Sequence, residues 1–154
     1  PIDVPAVFNW NEYMTLMDSH PEELYDTNTK KMRLGLNSFH NRPSAPEFAK
    51  LIVEEMQDFF SLHQNKITNI AFSGFGRESD SYPWHKDSMD VFFCQVIANI
   101  KIRVEGVNND EPFDFGPGDY VWLPRGTHHQ IIPSDSRVSF SFGVEGEPDP
   151  CTYF

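Results

Sequence analysis

Short apolar runs fill the second half of this chain, and their punctuation by turn residues limits the fold more than any other feature. Six of them lie between residues 67 and 144: ITNIAFSGFG, MDVFFCQV, IKIRVEGV, YVWLPRG, HHQII and RVSFSFGV. Runs of this length bounded by glycine, proline or aspartate favour β-strands, and many such strands are typical of a sandwich or a small barrel. The sequence therefore predicts a mainly β fold for this region.

The first 65 residues have a helical pattern instead. The segment WNEYMTLMDSH places Tyr13, Leu16 and Met17 at helical spacing, with Asn9 or Asn11 as a candidate cap. The segment SAPEFAKLIVEEMQDFFSLHQN has the clearest helical period. Its apolar stripe, which we expect to pack on the sheet, comprises Phe48, Leu51, Ile52, Met56, Phe59 and Phe60.

The length of 154 residues favours one domain. We expect a single domain over 1–154, with a helical part at 1–65, a barrel at 66–144 and an extended tail at 145–154. The cysteines, Cys94 and Cys151, do not suggest a disulfide framework. Cys94 lies in an apolar strand pattern and is expected to be a buried thiol.

The charge of the chain limits its partners. Twelve Lys and Arg against 23 Asp and Glu give a formal net charge of −11, which repels phosphate backbones and anionic headgroups. Neither nucleic acid nor a membrane is therefore expected as a partner. No apolar run approaches the ~20 residues that span a bilayer, and the N-terminus lacks a signal-peptide pattern. A cytoplasmic location is the expectation.

The segment PWHKDSMDVFFCQ contains a candidate metal-binding pair, His85 and Asp87. Side chains at i and i+2 of a strand share a face, so this pair can converge on one ion. Two histidines and one carboxylate form the facial arrangement that binds non-haem Fe(II) and leaves coordination positions open. His128 and His129, in LPRGTHHQII, are the candidates for the missing ligand. Because neighbours on a strand face opposite sides, we expect only one of them in the site.

Two motifs in this region resemble the metal motifs of cupin-fold jumonji-C-type oxygenases, especially the branch that contains ribosomal oxygenases. HKDSMDVFFCQV is similar to the first motif, a His-x-Asp followed by an acid-Val-Phe run that ends in glutamine. PGDYVWLPRGTHHQ resembles the second motif, and its metal histidine falls at His129, five residues after the proline. SRVSFSFG resembles the last core strand. The resemblance covers residues 66–144 and is weak outside them.

This resemblance implies a fold and an activity. The fold would be a double-stranded β-helix, that is, a cupin or jelly-roll barrel, packed against one or two helices. The activity would be that of an Fe(II)- and 2-oxoglutarate-dependent dioxygenase, with His85, Asp87 and His129 as the ligands of iron. Such enzymes couple oxidative decarboxylation of 2-oxoglutarate to hydroxylation. The substrate is expected to be a small molecule or a peptide, and a homodimer is compatible with the short chain.

The co-substrate anchor departs from the family pattern. The family places a basic residue five positions after the glutamine, where this chain has Ile100; Lys101 follows it, and Arg103 is two residues further. One extra turn residue would bring Lys101 into the anchoring place, which is the favoured interpretation. Arg103 or Tyr82 could anchor the co-substrate instead, and Ser141 is a further candidate for contact with a carboxylate.

Two other hypotheses stay open. One is a cupin metalloenzyme, an oxygenase or isomerase, that uses the same ligands without an oxo-acid, as the displaced lysine suggests. The other is a non-catalytic, metal-binding cupin module. No Gly-x-Ser-x-Gly elbow, CxxC pair or Walker sequence occurs, so mechanisms with those local signatures lack support.

Overall fold

The computed structural model describes residues 7–19, 25–26, 31–32, 35–37, 39–60, 67–74 and 81–145. Cys151 and the predicted tail beyond residue 145 lie outside these ranges. The helices described are α1 (Trp10–Asp18) and α2 (Glu47–Phe60), with short 3₁₀ turns at Phe39–Asn41 and Asn108–Asp110. The strands are β1 (Tyr25–Asp26), β2 (Lys31–Met32), β3 (Gly35–Asn37), β4 (Ile67–Gly74), β5 (His85–Lys86), β6 (Asp90–Ile97), β7 (Ile100–Val104), β8 (Phe113–Phe115), β9 (Tyr120–Leu123), β10 (His128–Pro133) and β11 (Arg137–Val144).

Two antiparallel sheets form the barrel. One has the strand order β3-β4-β11-β6-β9 and the other β5-β10-β7-β8. From β4 to β11 the chain changes sheet at every connection except the β7–β8 hairpin. This winding is the double-stranded β-helix of cupins and jelly rolls, so the predicted fold class is confirmed. The part before residue 66, for which the sequence predicts two helices, also contains β3, which pairs with β4 and widens the first sheet.

Helix α1 forms where the sequence predicts it. The Asn9 side chain caps it, and the Glu12 carboxylate accepts a hydrogen bond of 3.1 Å from the Asn9 backbone, which completes a capping box. Tyr13, Leu16 and Met17 are buried, as their spacing indicates. The cap and the apolar spacing of this segment therefore both agree with the observed helix.

The main core lies between the helices and the outer face of the five-stranded sheet. Phe48 of α2 stacks on Phe140 of β11 at 5.7 Å between ring centroids. The α2 stripe was predicted partly wrongly, since Leu51 and Phe59 are 46% and 82% exposed. The α2 side chains that are buried are Phe48, Ala49, Val53 and Met56. Cys94 also faces this core, and burial raises the pKa of its thiol to about 12.

Phe140→Ala is expected to destabilise the protein by about 3–5 kcal/mol, because a fully buried phenylalanine leaves a large cavity. Its ring meets those of Phe8, Phe39 and Phe48 at 5.3, 4.4 and 5.7 Å. Urea unfolding measures the loss. The matched control Phe59→Ala removes an exposed ring and should change the free energy of unfolding by less than about 0.5 kcal/mol. Equal losses in the two variants would contradict this description of the core.

The corner between β6 and β7 is held by the buried side chain of Gln95. Its amide nitrogen donates to the carbonyls of Ile97 and Ala98 at 2.8 and 2.7 Å, and its oxygen accepts from Ser139 at 2.6 Å. Ala98 has a φ of 63°, a left-handed conformation that is uncommon for alanine. The glutamine thus stabilises a tight corner at which the chain passes from one sheet to the other.

Candidate metal centre

Three potential ligands converge at the mouth of the barrel. His85 comes from β5, Asp87 follows that strand, and His129 comes from β10. The Asp87 carboxylate lies 3.8 Å from Nε2 of His85 and 3.4 Å from Nε2 of His129. One ligand atom from each residue can be chosen so that all lie within 4.8 Å of one another. The group could therefore hold a metal ion, and the structure brings together the three residues that the sequence singles out.

Hydrogen bonds fix the tautomers of both imidazoles. Nδ1 of His85 lies 2.7 Å from the Pro83 carbonyl, and Nδ1 of His129 lies 3.0 Å from the Thr127 carbonyl. A carbonyl only accepts, so each Nδ1 carries the proton and each Nε2 presents its lone pair to the site. Burial also lowers the pKa of His129, which favours the neutral ring. Neutral imidazole beside a carboxylate is a donor set for a divalent transition metal.

Strand register decides between His128 and His129. In the β5–β10 ladder His129 pairs with His85, while His128 pairs with Lys86. The two adjacent histidines therefore face opposite sides of the sheet. His129 lines the inner pocket, whereas Nδ1 of His128 lies 3.1 Å from the Glu105 carboxylate.

Backbone contacts tie the two sequence motifs together. The amide of Gly126 donates to the Asp87 carbonyl at 2.9 Å, and the amide of Arg125 donates to the Asp90 carboxylate at 2.7 Å. Gly126 has a φ of +79°, which a residue with a side chain adopts rarely. The Pro-Arg-Gly turn thus holds the loop that presents Asp87, and Asp90 serves this turn rather than the metal group.

A stack of side chains lies behind the ligands on the outer face of the four-stranded sheet. The Trp84 ring stacks on His128 at 5.8 Å and 14°, and Cζ of Arg103 lies 4.2 Å from the Trp84 ring centroid. Trp84 precedes His85, and His128 precedes His129. Because β5 pairs with β10 at two positions only, this stack reinforces the contact that brings the two imidazoles together.

Trp84→Ala is expected to weaken metal binding about fivefold, because the stack stabilises the position of β5 against β10 by about 1 kcal/mol. A titration with Fe(II) under anaerobic conditions, or with Co(II), measures the change. Tyr120→Ala removes an exposed aromatic ring from the other sheet and is the matched control. Metal affinity that is equal in both variants would show that the stack does not position the ligands.

The three potential ligands line a barrel pocket of about 800 Å³. Its apolar wall includes Met89, Val91, Phe93, Leu123 and Ile131. Its polar lining outside the ligands is Thr68, Ser73, Ser81, Tyr82, Arg137, Ser139 and Ser141. Tyr82 lies beside His85, with 5.4 Å between ring centroids. The pocket thus combines an apolar wall with a few polar groups, as small-molecule sites do.

The structure corrects two of the expected co-substrate contacts. Lys101 faces away from the pocket and pairs with Asp114 at 2.9 Å, with its side chain 52% exposed. Arg103 shares that outer face, where its Nε donates to the Asp110 carbonyl at 2.6 Å. Ile100 and Ile102 point inward instead, because the corner before β7 has no extra residue. Tyr82 and Ser141, the other expected contacts, do line the pocket.

Arg137 is the basic side chain that lines the pocket among the residues the structure describes, and the sequence reasoning did not select it. It is buried, which lowers the pKa of its guanidinium. Arg137, Ser139 and Ser141 alternate along β11 and share its inner face. That alternation was visible in RVSFSFG and could have placed Arg137 with the serines.

The topology and the converging ligands define a cupin fold with a candidate metal centre. No protein-family model and no curated protein matches the sequence. Among solved structures, the Escherichia coli ribosomal oxygenase YcfD is similar with a TM-score of 0.50 and 20% identity, over 65% of this chain and 29% of that one.

Further similar structures are a cupin superfamily protein from Desulfitobacterium hafniense and an RmlC-like cupin family protein from Methanocaldococcus jannaschii. The first has a TM-score of 0.45 and 15% identity, over 55% of this chain and 72% of that one. The second has a TM-score of 0.43 and 16% identity, over 51% and 69%. At such identities the likeness is one of fold.

No described helix has the length and apolar character needed to cross a bilayer.

Proposed function

We propose that this chain is an Fe(II)- and 2-oxoglutarate-dependent dioxygenase that hydroxylates a small molecule or a peptide side chain. The observation that supports it is the position of Arg137 in the same pocket as His85, Asp87 and His129. A dioxygenase of this type needs a metal with open positions and a cation for a dicarboxylic co-substrate. The described part of the barrel contains groups suited to both.

The donor set fits Fe(II). Two neutral Nε2 atoms and one carboxylate are the ligands of the facial triad, which leaves open positions for the oxo-acid and O₂. Bound iron would supply O₂ activation, oxidative decarboxylation of 2-oxoglutarate to succinate and CO₂, and hydroxylation of the substrate. His85 and His129 are held in orientation by hydrogen bonds from Nδ1 to the carbonyls of Pro83 and Thr127. The two rings therefore need little reorientation when a metal binds.

Arg137 is suited to hold the distal carboxylate of the co-substrate. A buried carboxylate without a cation is costly, and a guanidinium can bind it through two parallel hydrogen bonds. The guanidinium stays charged even where burial lowers its pKa. Ser141 lies four residues along the same face of β11 and can donate a further hydrogen bond.

The remaining volume accommodates a substrate. A pocket of about 800 Å³ exceeds the needs of a five-carbon oxo-acid and leaves space beside the ligands. Met89, Phe93 and Ile131 form an apolar wall that excludes water around the reacting atoms. Tyr82, which is largely exposed beside His85, stands where a substrate would enter.

Anaerobic addition of Fe(II) and then 2-oxoglutarate tests this proposal. The expected result is a visible charge-transfer absorption that appears only with both components, followed by succinate formation on admitting O₂. If protein shown to contain iron gives no such absorption with 2-oxoglutarate and releases no succinate, the co-substrate assignment is rejected.

A second candidate is a cupin metalloenzyme that uses the same ligands without an oxo-acid. The outward orientation of Lys101 and Arg103 favours it, because the basic residue expected on β7 is missing from the pocket. It predicts tight metal binding that 2-oxoglutarate leaves unchanged. Titration of the metal-loaded protein with 2-oxoglutarate, followed by calorimetry, separates the two candidates.

A further inference from the structure

Among the residues that the structure describes, helix α2 covers only part of the outer face of the five-stranded sheet. The helix packs through Phe48 on Phe140 of the central strand β11. Towards the other edge, Phe92 of β6 and Trp122 of β9 line an open groove beside the helix. The groove has a volume of about 570 Å³ and lies on the opposite side of this sheet from the metal pocket, so it has no part in the proposed chemistry.

The lining of this groove is apolar and accessible. Phe59 and Leu51 of α2 are 82% and 46% exposed, and Trp122 is 38% exposed. Phe60 stacks on Trp122 at 5.5 Å, which closes one part of the groove. The charged lining residue among those described is Glu55. A contiguous set of large apolar side chains at the surface is typical of an interaction site.

The dimensions suit one helix. Strands lie about 4.8 Å apart, so β6 and β9 together present a width close to the ~10 Å diameter of a helix. Helices that pack side by side lie about 8–10 Å apart, which would place a second helix over these strands and beside α2. Such a helix would extend the helical layer that α2 begins on this face of the sheet.

The charge of α2 indicates the chemistry of the occupant. At 100° per residue, Glu47, Glu54 and Asp58 form a stripe within about 40° of one another. This stripe borders the face that carries Leu51 and Glu55, and its three side chains are exposed. An apolar groove beside four carboxylates complements a helix with an apolar stripe flanked by lysine or arginine.

We propose that the groove between α2 and strands β6 and β9 docks an amphipathic, basic helix of a partner protein. The apolar stripe of that helix packs on Leu51, Phe59 and Trp122, and its basic residues face the carboxylates of α2. A second copy of this chain fits less well, because it has a formal net charge of −11 and would bring a second acidic stripe to the groove.

The test uses a synthetic Leu/Lys amphipathic helix of about 18 residues and a Leu/Glu helix of the same pattern. Calorimetry of the full chain should show binding of the first and none of the second, with an affinity that falls as salt is raised. The Leu51→Ser/Phe59→Ser variant should weaken binding more than about tenfold, since both apolar anchors are lost. Glu54→Lys/Asp58→Lys should weaken it as well, while increasing affinity for the Leu/Glu helix.

Control substitutions lie at exposed positions away from the groove. Met14→Ser removes an exposed apolar side chain of α1, and Glu111→Lys reverses an exposed charge near β8. Both should leave binding unchanged. Equal weakening by groove and control variants would overturn the proposal, because binding would then not depend on the groove. A native dimer that Leu51→Ser/Phe59→Ser converts to a monomer would assign the groove to a second copy. Tighter peptide binding after deletion of residues 146–154 would assign it to that segment of the same chain, and either result also overturns the proposal.

Discussion

Asp87→Ala is expected to lower the affinity for Fe(II) by more than about 100-fold and to abolish 2-oxoglutarate turnover while the protein stays folded. Groups that merely orient a ligand are worth about 10–100-fold in metal affinity, so loss of a ligand should exceed that. Asp87 supplies the negative charge of the triad and lies within 4 Å of both Nε2 atoms. Its side chain is 38% exposed, so its removal leaves no buried cavity. His85→Ala should have the same effect.

The measurement is an anaerobic Fe(II) titration, combined with thermal unfolding of each variant without metal. Asp114→Ala is the matched control, because it removes an exposed carboxylate on the outer face of the same barrel. Iron bound by Asp87→Ala as tightly as by the native chain would remove Asp87 from the metal site. It would also leave the proposed function without its central observation.

Arg137→Met is expected to raise the Kd for 2-oxoglutarate by about 100-fold or more while iron binding stays near native. Methionine keeps much of the length of the side chain but cannot bind a carboxylate. The loss of a charge-assisted pair in a buried pocket is worth about 3–5 kcal/mol. The readout is the 2-oxoglutarate concentration that gives half of the charge-transfer absorption, together with the KM in succinate release.

Lys101→Met is the matched comparison variant for Arg137→Met. Lys101 is the anchor that we expected on the hypothesis of one extra turn residue, whereas the structure places its amine on Asp114 outside the pocket. We expect Lys101→Met to leave the Kd for 2-oxoglutarate within about twofold of native, since exposed ion pairs contribute little. The reverse result, with a defect in Lys101→Met and none in Arg137→Met, would contradict the anchor proposed here.

The strands of the barrel follow from information that is local in sequence, whereas the meeting of the three potential ligands was inferred from the two motifs. Alternation within RVSFSFG and the turn residues between runs determine strands and their faces. The assignment of His129 rather than His128 to the pocket rests on the spacing of the second motif, and the β5–β10 register agrees with it. Asp87, by contrast, lies just beyond β5, so the two-residue strand argument holds only for the start of the segment.

The orientation of β7 could not be derived from sequence because one residue at a corner decides it. Ala98 adopts a left-handed φ, a conformation that the sequence IAN does not predict. Gln95 donates to the carbonyls of Ile97 and Ala98 at that corner, and its own orientation is fixed by Ser139, which is 44 residues away in sequence. Once the corner is fixed, successive side chains of β7 alternate between the two faces of the sheet. Ile100 and Ile102 then face the barrel interior, and Lys101 faces outward.

The exposure of Leu51 and Phe59 marks another limit of sequence reasoning. Both fit the helical period of α2, but its apolar stripe is wider than the sheet surface that the helix covers. Periodicity reports that a face is apolar and does not report what it meets. The open groove beside α2 is therefore visible only once the position of β9 at the sheet edge is known.

The shortness of β5 has a consequence for amide hydrogen exchange. This strand has two residues, stands at the edge of its sheet and is held by two ladder pairs to β10. Local opening of such an edge requires little free energy, whereas central strands exchange only through larger opening events. A metal bridging His85 and His129 would join β5 to β10, and its binding free energy would add to the cost of that opening. The exchange rate of the backbone amides in β5 would thus report metal occupancy without any spectroscopic property of the ion.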